Sequence, residues 1–335
     1  MRRSIKLALI LVLSTSVIAG AFAAHTYLRL LEKPIAIRIA EPSYPAAALL
    51  TIAARQGYFR KNGLAVEVVP AETGKSSVQD VTDGRVEFGL CAVTPFVRSV
   101  LNGQRTKVVT GIAVIDGGHE VAARRERGIH SVRDLVGKRI ALPLGTGAET
   151  FLGRLLDYYG MKMSSVHMVD TPLSKIPESL DDPNIDAVCT FQDWNLPSHG
   201  LVRFTGEAIF TLHYLLVSRD DVLQGRPEVV ERLLRSLVDA DAYVARNRQQ
   251  AAADLAAAYG IPANTFDRIW DQIRPGVSLD HSIVRAMEQE ATWAMDNGRV
   301  PRQPLPDFLS LISFSALENV RPEAVNIVHD ESGKT

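Results

Sequence analysis

Residues able to recognise a ligand stand in short loops along this chain, each directly after an apolar run. Ser43 and Tyr44 follow one run, Thr73 and Gly74 a second, and Cys91, Ala92 and Thr94 a third. His119 closes a longer run, and Gln192, Asp193 and Trp194 follow another. Between these lies Gly145-Thr146-Gly147-Ala148-Glu149-Thr150, a glycine loop feeding a helical pattern. Such a loop aims backbone N–H groups and the positive end of a helix dipole at a carboxylate, sulfonate or phosphate. Thr146 and Glu149 also have capping-box spacing, so the same side chains can satisfy the helix end. The two readings are compatible. A Glu149 that faces the ligand would instead favour an amine or an aminopyrimidine. Tyr44 and Trp194 offer flat walls with a polar edge, Asp193 offers an acceptor or a turn cap, and His119 is a donor or a hinge residue. His213 and Tyr214 belong to a later crossing segment and carry the same two options. This is the chemistry of binding. No Gly-x-Ser-x-Gly elbow, Walker loop, His-Glu-x-x-His or Cys-x-x-Cys pair occurs, so neither catalysis nor a metal nor a cofactor is expected.

Those loops meet only if the elements between them bring them together. Past residue 35 the chain alternates apolar strands with amphipathic helices. Strands are expected at Ile35–Ala40, Leu64–Val69, Val86–Cys91 and Lys107–Ile115, with helices at Ala46–Gln56, Ser76–Asp83 and Pro95–Leu101. The rhythm restarts with strands Arg139–Leu142, Val166–Val169 and Ile185–Thr190 and the helix Ala148–Tyr159. Gly84–Cys91 and Pro183–Cys189 read as equivalents, each a turn and an acidic residue leading into a short apolar strand. One α/β unit used twice predicts an α/β fold of two lobes, each a mainly parallel sheet flanked by helices. Ligands in such sheets bind beyond the carboxyl ends of the strands, which is where the candidate residues stand. After a late strand at Phe210–Ser218 the chain turns helical, from Pro227 to Asn297. Residues 35–120 with 215–325 are expected to form lobe one and 121–214 lobe two, with crossings near His119–Arg124 and Ala208–Ser218.

The chain has 335 residues, of which 46% are hydrophobic, enough for two cores. Its 37 basic and 38 acidic side chains leave a net charge of −1, which offers no field for nucleic acid or an anionic membrane. A basic start (Met1–Lys6), an apolar run (Leu7–Gly20) and Ala21-Phe22-Ala23 form the three parts of a secretory signal peptide over residues 1–23. An uncleaved membrane anchor is the alternative. Cys91 and Cys189 are expected to be small buried hydrophobes.

Four stretches together resemble one family. Ala53–Glu67 (AARQGYFRKNGLAVE) is similar to the A-x-x-x-G-[YF]-F-x-x-x-G-L-x-V-E stretch of the nitrate, sulfonate, taurine and thiamine-pyrimidine-precursor binding proteins of ABC importers, the SsuA/NMT1-like family. Asp83–Gly89 resembles its x-G-x-x-D-[FI]-G, with Glu87 for Asp. Gly128–Ala141 resembles I-x-S-x-x-D-L-K-G-K-x-[IV]-A, with Val136 for Lys, and Asp186-Ala187 with Asp193-Trp194 resembles D-A-x-x-x-W-x-P in altered spacing. The resemblance implies a type II periplasmic binding-protein fold and an exported, monomeric carrier. Such a carrier captures a small organic solute by lobe closure and presents it to membrane permease subunits. A membrane-anchored ligand sensor and an enzyme like the family's pyrimidine-precursor synthase are the alternatives.

Overall fold

The computed structural model describes residues 33–42, 44–191, 196–197, 199–206 and 209–329. The expected signal peptide, residue 208 of the second crossing, and Ser43, Gln192, Asp193 and Trp194 lie outside the described residues. Strands β1 (Ile35–Pro42), β2 (Leu64–Ala71), β3 (Phe88–Ala92) and β4 (Thr106–Asp116) begin one sheet. Strands β5 (His119–Arg124), β6 (Arg139–Leu142), β7 (His167–Asp170), β8 (Ala187–Phe191) and β9 (Leu201–Thr205) form a second. The chain then returns to the first sheet with β10 (Thr211–Arg219) and β11 (Ile273–Ser278). The orders are β11-β4-β10-β3-β1-β2 and β7-β6-β8-β5-β9.

The same plan is used twice, as the internal likeness in sequence predicts. In each sheet a first strand lies between the second and third, and the strand that crosses over inserts next to the third. The pairs β1–β2, β1–β3, β6–β7 and β6–β8 are parallel. The crossing strands β10 and β5 are antiparallel to both neighbours. Each sheet is therefore mixed, and parallel only in its βαβ half. A strand arriving from the other lobe enters at the strand tips and must run the opposite way. The equivalence extends to side chains. The Arg38 N–H donates to Glu87 Oε2 at 2.7 Å, and the Arg139 N–H donates to Asp186 Oδ2 at 2.8 Å. Each acidic residue thus pins the start of a third strand to its first strand.

The crossing points differ slightly from expectation. His119 and Glu120, assigned above to lobe one, pair in the second sheet, and Thr211–Tyr214, assigned to lobe two, pair in the first. The chain changes sheets at Gly117–Gly118, both at positive φ (80° and 58°), which only glycine adopts without strain. Strands β9 and β11 were not foreseen. β11 contains Pro275 and Gly276 and lies at a sheet edge, the place where proline is tolerated within a sheet.

The helices that position the strand tips are α1 (Ala48–Arg55), α2 (Gly74–Thr82), α3 (Val93–Leu101) and, in lobe two, α4 (Gly147–Tyr158). The helical return comprises α5 (Pro227–Arg246), α6 (Arg248–Tyr259), α7 (Ala263–Gln272) and α8 (His281–Asp296). Val229, Val230, Leu233, Leu234, Leu237 and Val244 place one buried stripe on α5 at helical spacing, and this stripe seals the core of lobe one against α1. Helix α8 packs on α3 and reaches α4 through Trp293. A Cβ on Gly153 would lie 2.1 Å from Trp293 Cζ2, so the helices approach only because residue 153 has no side chain. Among the described residues no helix is long and apolar enough to cross a membrane.

Candidate functional site

The carboxyl ends of β1, β2 and β3 face those of β6, β7 and β8 across a cavity of about 390 Å³. Aromatic rings form its back. Tyr44, just past β1, has its ring centroid 4.5 Å from that of Phe191 at the end of β8 and 6.3 Å from that of Tyr214 in β10. Pro42, Ala71, Leu90, Pro95, Leu173 and Leu212 complete an apolar wall. Burial pushes the Tyr214 hydroxyl well above its usual ionisation range, so it stays neutral.

Polar groups enter at helix ends. Thr73 caps α2, its Oγ1 accepting from the Ser76 N–H at 3.4 Å while the Ser76 hydroxyl accepts from the Thr73 N–H at 3.1 Å. Thr146 caps α4, accepting from the Ala148 N–H at 3.3 Å and donating to the Pro143 carbonyl at 2.7 Å. Gly74 and Gly147 are the first helical residues and line the cavity, as does Ala92, the N-cap of α3. First-turn N–H groups have no partner within their own helix, so three positive helix ends converge on one space. Among the described residues the lining contains no Lys, Arg or His. Its one carboxylate, Glu72, is engaged across the mouth. Glu72 Oε1 accepts from the Ser174 N–H at 3.1 Å and the Ser174 hydroxyl at 2.9 Å. The Lys75 ammonium, donating to the Leu144 carbonyl at 3.3 Å, is a second clasp between lobes.

Of the residues expected here, Tyr44, Thr73, Gly74, Ala92, Thr146 and Gly147 line the cavity. Five others are placed elsewhere. Cys91 alternates away from the gap and is fully buried, and burial raises its thiol. Glu149 does not close a capping box with Thr146. It accepts from the Gly145 N–H at 2.9 Å and from Arg299 Nη1 at 3.2 Å, with Arg98 Nη2 at 3.7 Å. Thr94 and Thr150 meet at 3.2 Å behind the cavity wall, and the Thr150 hydroxyl donates to Glu290 at 3.0 Å. Glu72, Ser174, Phe191 and Leu212 were missed. Phe191 had a signal: strand register makes it the lobe-two counterpart of Ala92, which was chosen. Among the described residues no group of acidic, His and Cys side chains could hold a metal.

His119 sits fully buried behind Gly147, ringed by Phe191, Phe151 and Phe210 at centroid distances of 4.7, 5.8 and 5.9 Å. Among the described residues neither ring nitrogen has a hydrogen-bond partner of good geometry, and burial pushes its pKa down to about 3, a weaker interaction with the Gly117 backbone offsetting only part. The unfolded chain therefore binds a proton that the fold refuses, so this group's stability contribution is present above the ordinary value of 6.5 and lost as pH falls toward 3. His119→Leu is expected to gain about 2 kcal/mol at about pH 5 and to flatten the acid limb of a urea-unfolding profile. A variant that keeps the wild-type acid dependence would show that the imidazole is not the cause.

A family model described as NMT1/THI5 like matches residues 45–251. The taurine-binding periplasmic protein of Escherichia coli is 25% identical over 284 residues, covering 78% of this chain and 85% of that protein. A Brucella abortus protein that carries only the name of a binding protein is 24% identical over 216 residues, a match spanning 62% of this chain and 66% of that one. Among solved structures, the alkanesulfonate-binding protein SsuA from Xanthomonas axonopodis pv. citri, bound to MOPS, superposes with a TM-score of 0.74 at 18% identity. That match covers 84% of this chain and 99% of SsuA. The desulfurization enzyme DszB superposes with a TM-score of 0.62 at 15% identity, covering 86% and 99%. The fold is the two-lobed periplasmic binding-protein fold, and with the family model covering more than half its length, the chain belongs to the NMT1/THI5-like family.

Proposed function

We propose that this protein is the extracytoplasmic solute-binding component of an ABC importer, a periplasmic monomer that passes its cargo to membrane permease subunits. The cargo is a small organic solute with an apolar or aromatic body and one anionic or strongly polar end. The observation that carries this is the cavity between the lobes, where an aromatic seam faces three converging helix ends and the mouth is clasped by Glu72 and Ser174. Its volume and mostly apolar lining, with a few placed polar groups, are those of small-molecule sites. Taurine and alkanesulfonates, named for the relatives, share the anionic end. The apolar walls and the absence of a cationic side chain from the described lining favour a sulfonate or heteroaromatic precursor with a larger organic body. Binding is favoured over turnover because both thiols are buried and raised, away from the gap.

Calorimetric titration of the purified chain with taurine, MOPS, aliphatic and aromatic sulfonates and aminopyrimidines tests this. A saturable one-to-one complex that compacts in solution scattering is expected, with Phe191→Ala weakening it about tenfold or more, through roughly 1.4 kcal/mol of lost aromatic contact. Chemical conversion of a solute, or no binding across the panel, would refute it.

A further inference from the structure

We propose a second ligand site, for a small oxyanion, in the cavity beside the crossing between the two sheets. This cavity of about 770 Å³ lies on the far side of Ala92 and Leu212 from the cleft, and both lobes wall it. Lobe two contributes Arg154 from α4, and the helical return contributes Arg274 from β11 and Arg285 from α8.

The charge balance points to a ligand. Two carboxylates line the cavity, and the protein engages both. Asp116 pairs with Arg274 and accepts from the Thr211 hydroxyl at 3.1 Å. Glu290 is buried and accepts from Arg98 Nε at 3.2 Å and the Thr150 hydroxyl at 3.0 Å. The N-terminus of α8 is already neutralised, because Asp280 caps it by accepting from the Ser282 N–H at 2.8 Å. Two guanidiniums stay uncompensated. Arg285 is exposed and has neither an ion-pair nor a hydrogen-bond partner among the described residues. Arg154 has one long hydrogen bond, to the Gln289 carbonyl at 3.4 Å. Two like charges facing one half-enclosed space repel. An oxyanion between them removes the repulsion and satisfies two planar donor forks.

The placement gives the site a consequence. Arg154 rides on α4, whose first residue lines the cleft, and Arg285 rides on a helix packed against lobe one. An anion bridging them would tie the two lobes together across this cavity. Anion and cleft solute are therefore expected to change each other's affinity by the same factor.

The test is calorimetric titration of the whole chain with inorganic phosphate, with sodium chloride holding ionic strength constant to cancel general salt effects. Saturable one-to-one binding is expected, weakened about tenfold or more in the Arg154→Ala, Arg285→Ala double variant. The melting temperature in phosphate-free buffer should not change. Arg285→Glu, a single change at an exposed residue, is expected to abolish binding and guards against a double variant that fails to fold. Absence of saturable heat, or equal binding by wild type and Arg285→Glu, would overturn the site. Neither result depends on which solute fills the cleft.

Discussion

Arg98→Met is expected to cost about 3–5 kcal/mol of unfolding free energy at about pH 8, and clearly less at about pH 5. Arg98 lies between two buried carboxylates, Glu290 at 3.2 Å and Glu149 at 3.7 Å, and its guanidinium carbon sits 5.7 Å from the centre of the Trp293 ring. Glu149 keeps Arg299 and the Gly145 N–H when Arg98 is lost. Glu290 does not fare as well: with a side chain only 4% exposed, it keeps hydroxyl donors alone. Burial already raises its pKa from the ordinary 4.5, and Arg98 is the chief counterweight. Without the guanidinium the folded protein holds a proton that the unfolded chain releases, so the loss grows as pH rises above 4.5. Urea unfolding at the two pH values checks this. A loss below about 1 kcal/mol, or one equal at both, would mean the cluster is merely decorative. Arg98→Met combined with Glu290→Leu should recover most of the stability, because an apolar pair replaces a buried ionic one at little cost.

That cluster also says where the lobes can move. It joins α3 of lobe one, α4 of lobe two and α8 of the helical return at a single buried point, and Trp293 packed on Gly153 extends the join. For the lobe opening that solute exchange would require, this join and Gly117–Gly118 are the expected pivots, and the exposed front contacts, Glu72 to Ser174 and Lys75 to Leu144, are the ones expected to part.

Much of this arrangement was legible because its causes are local. Gly63, Gly84 and Gly137 end helical turns at positive φ, and the apolar runs after them are strands. Strand tips then named Tyr44, Thr73, Gly74, Thr146 and Gly147 as cavity residues. What stayed hidden is set by partners far along the chain. Glu149 has capping spacing, yet it turns inward because Arg98 and Arg299 arrive from other elements. Ser174 meets Glu72 of the opposite lobe at the mouth, a partner 102 residues away in sequence. β9 is a five-residue strand, and β11 carries a proline and a glycine, so each depends on the sheet it joins more than on its own pattern.

Glu41→Gln is expected to make the protein several kcal/mol more stable at about pH 9 and to leave it nearly unchanged at about pH 5. Glu41 ends β1 beside Pro42 of the cavity wall, is only 9% exposed, and has no ion-pair partner among the described residues. Its electrostatic neighbour is Tyr259, whose hydroxyl shares a 2.9 Å hydrogen bond with Thr51. Burial alone pushes the carboxyl up to about 8 from an ordinary 4.5. A raised acid stabilises the fold fully below the ordinary value, and that stability is lost as pH climbs to the raised one. The loss is about 1.4 kcal/mol per pH unit, with a ceiling near 5 kcal/mol. Glutamine has no proton to lose, so the variant's stability should stay flat where the wild type falls. A wild type that is itself flat over this range would remove the basis of the prediction. The slope also reaches the cleft. An ionised Glu41 is drawn toward water, and Pro42 and Tyr44 must follow, so solute affinity should fall with a midpoint near pH 8 in wild type and not in Glu41→Gln. His119 is thus expected to weaken the fold on the acid side and Glu41 on the alkaline side, each beside a residue that lines the cavity, Gly147 and Pro42.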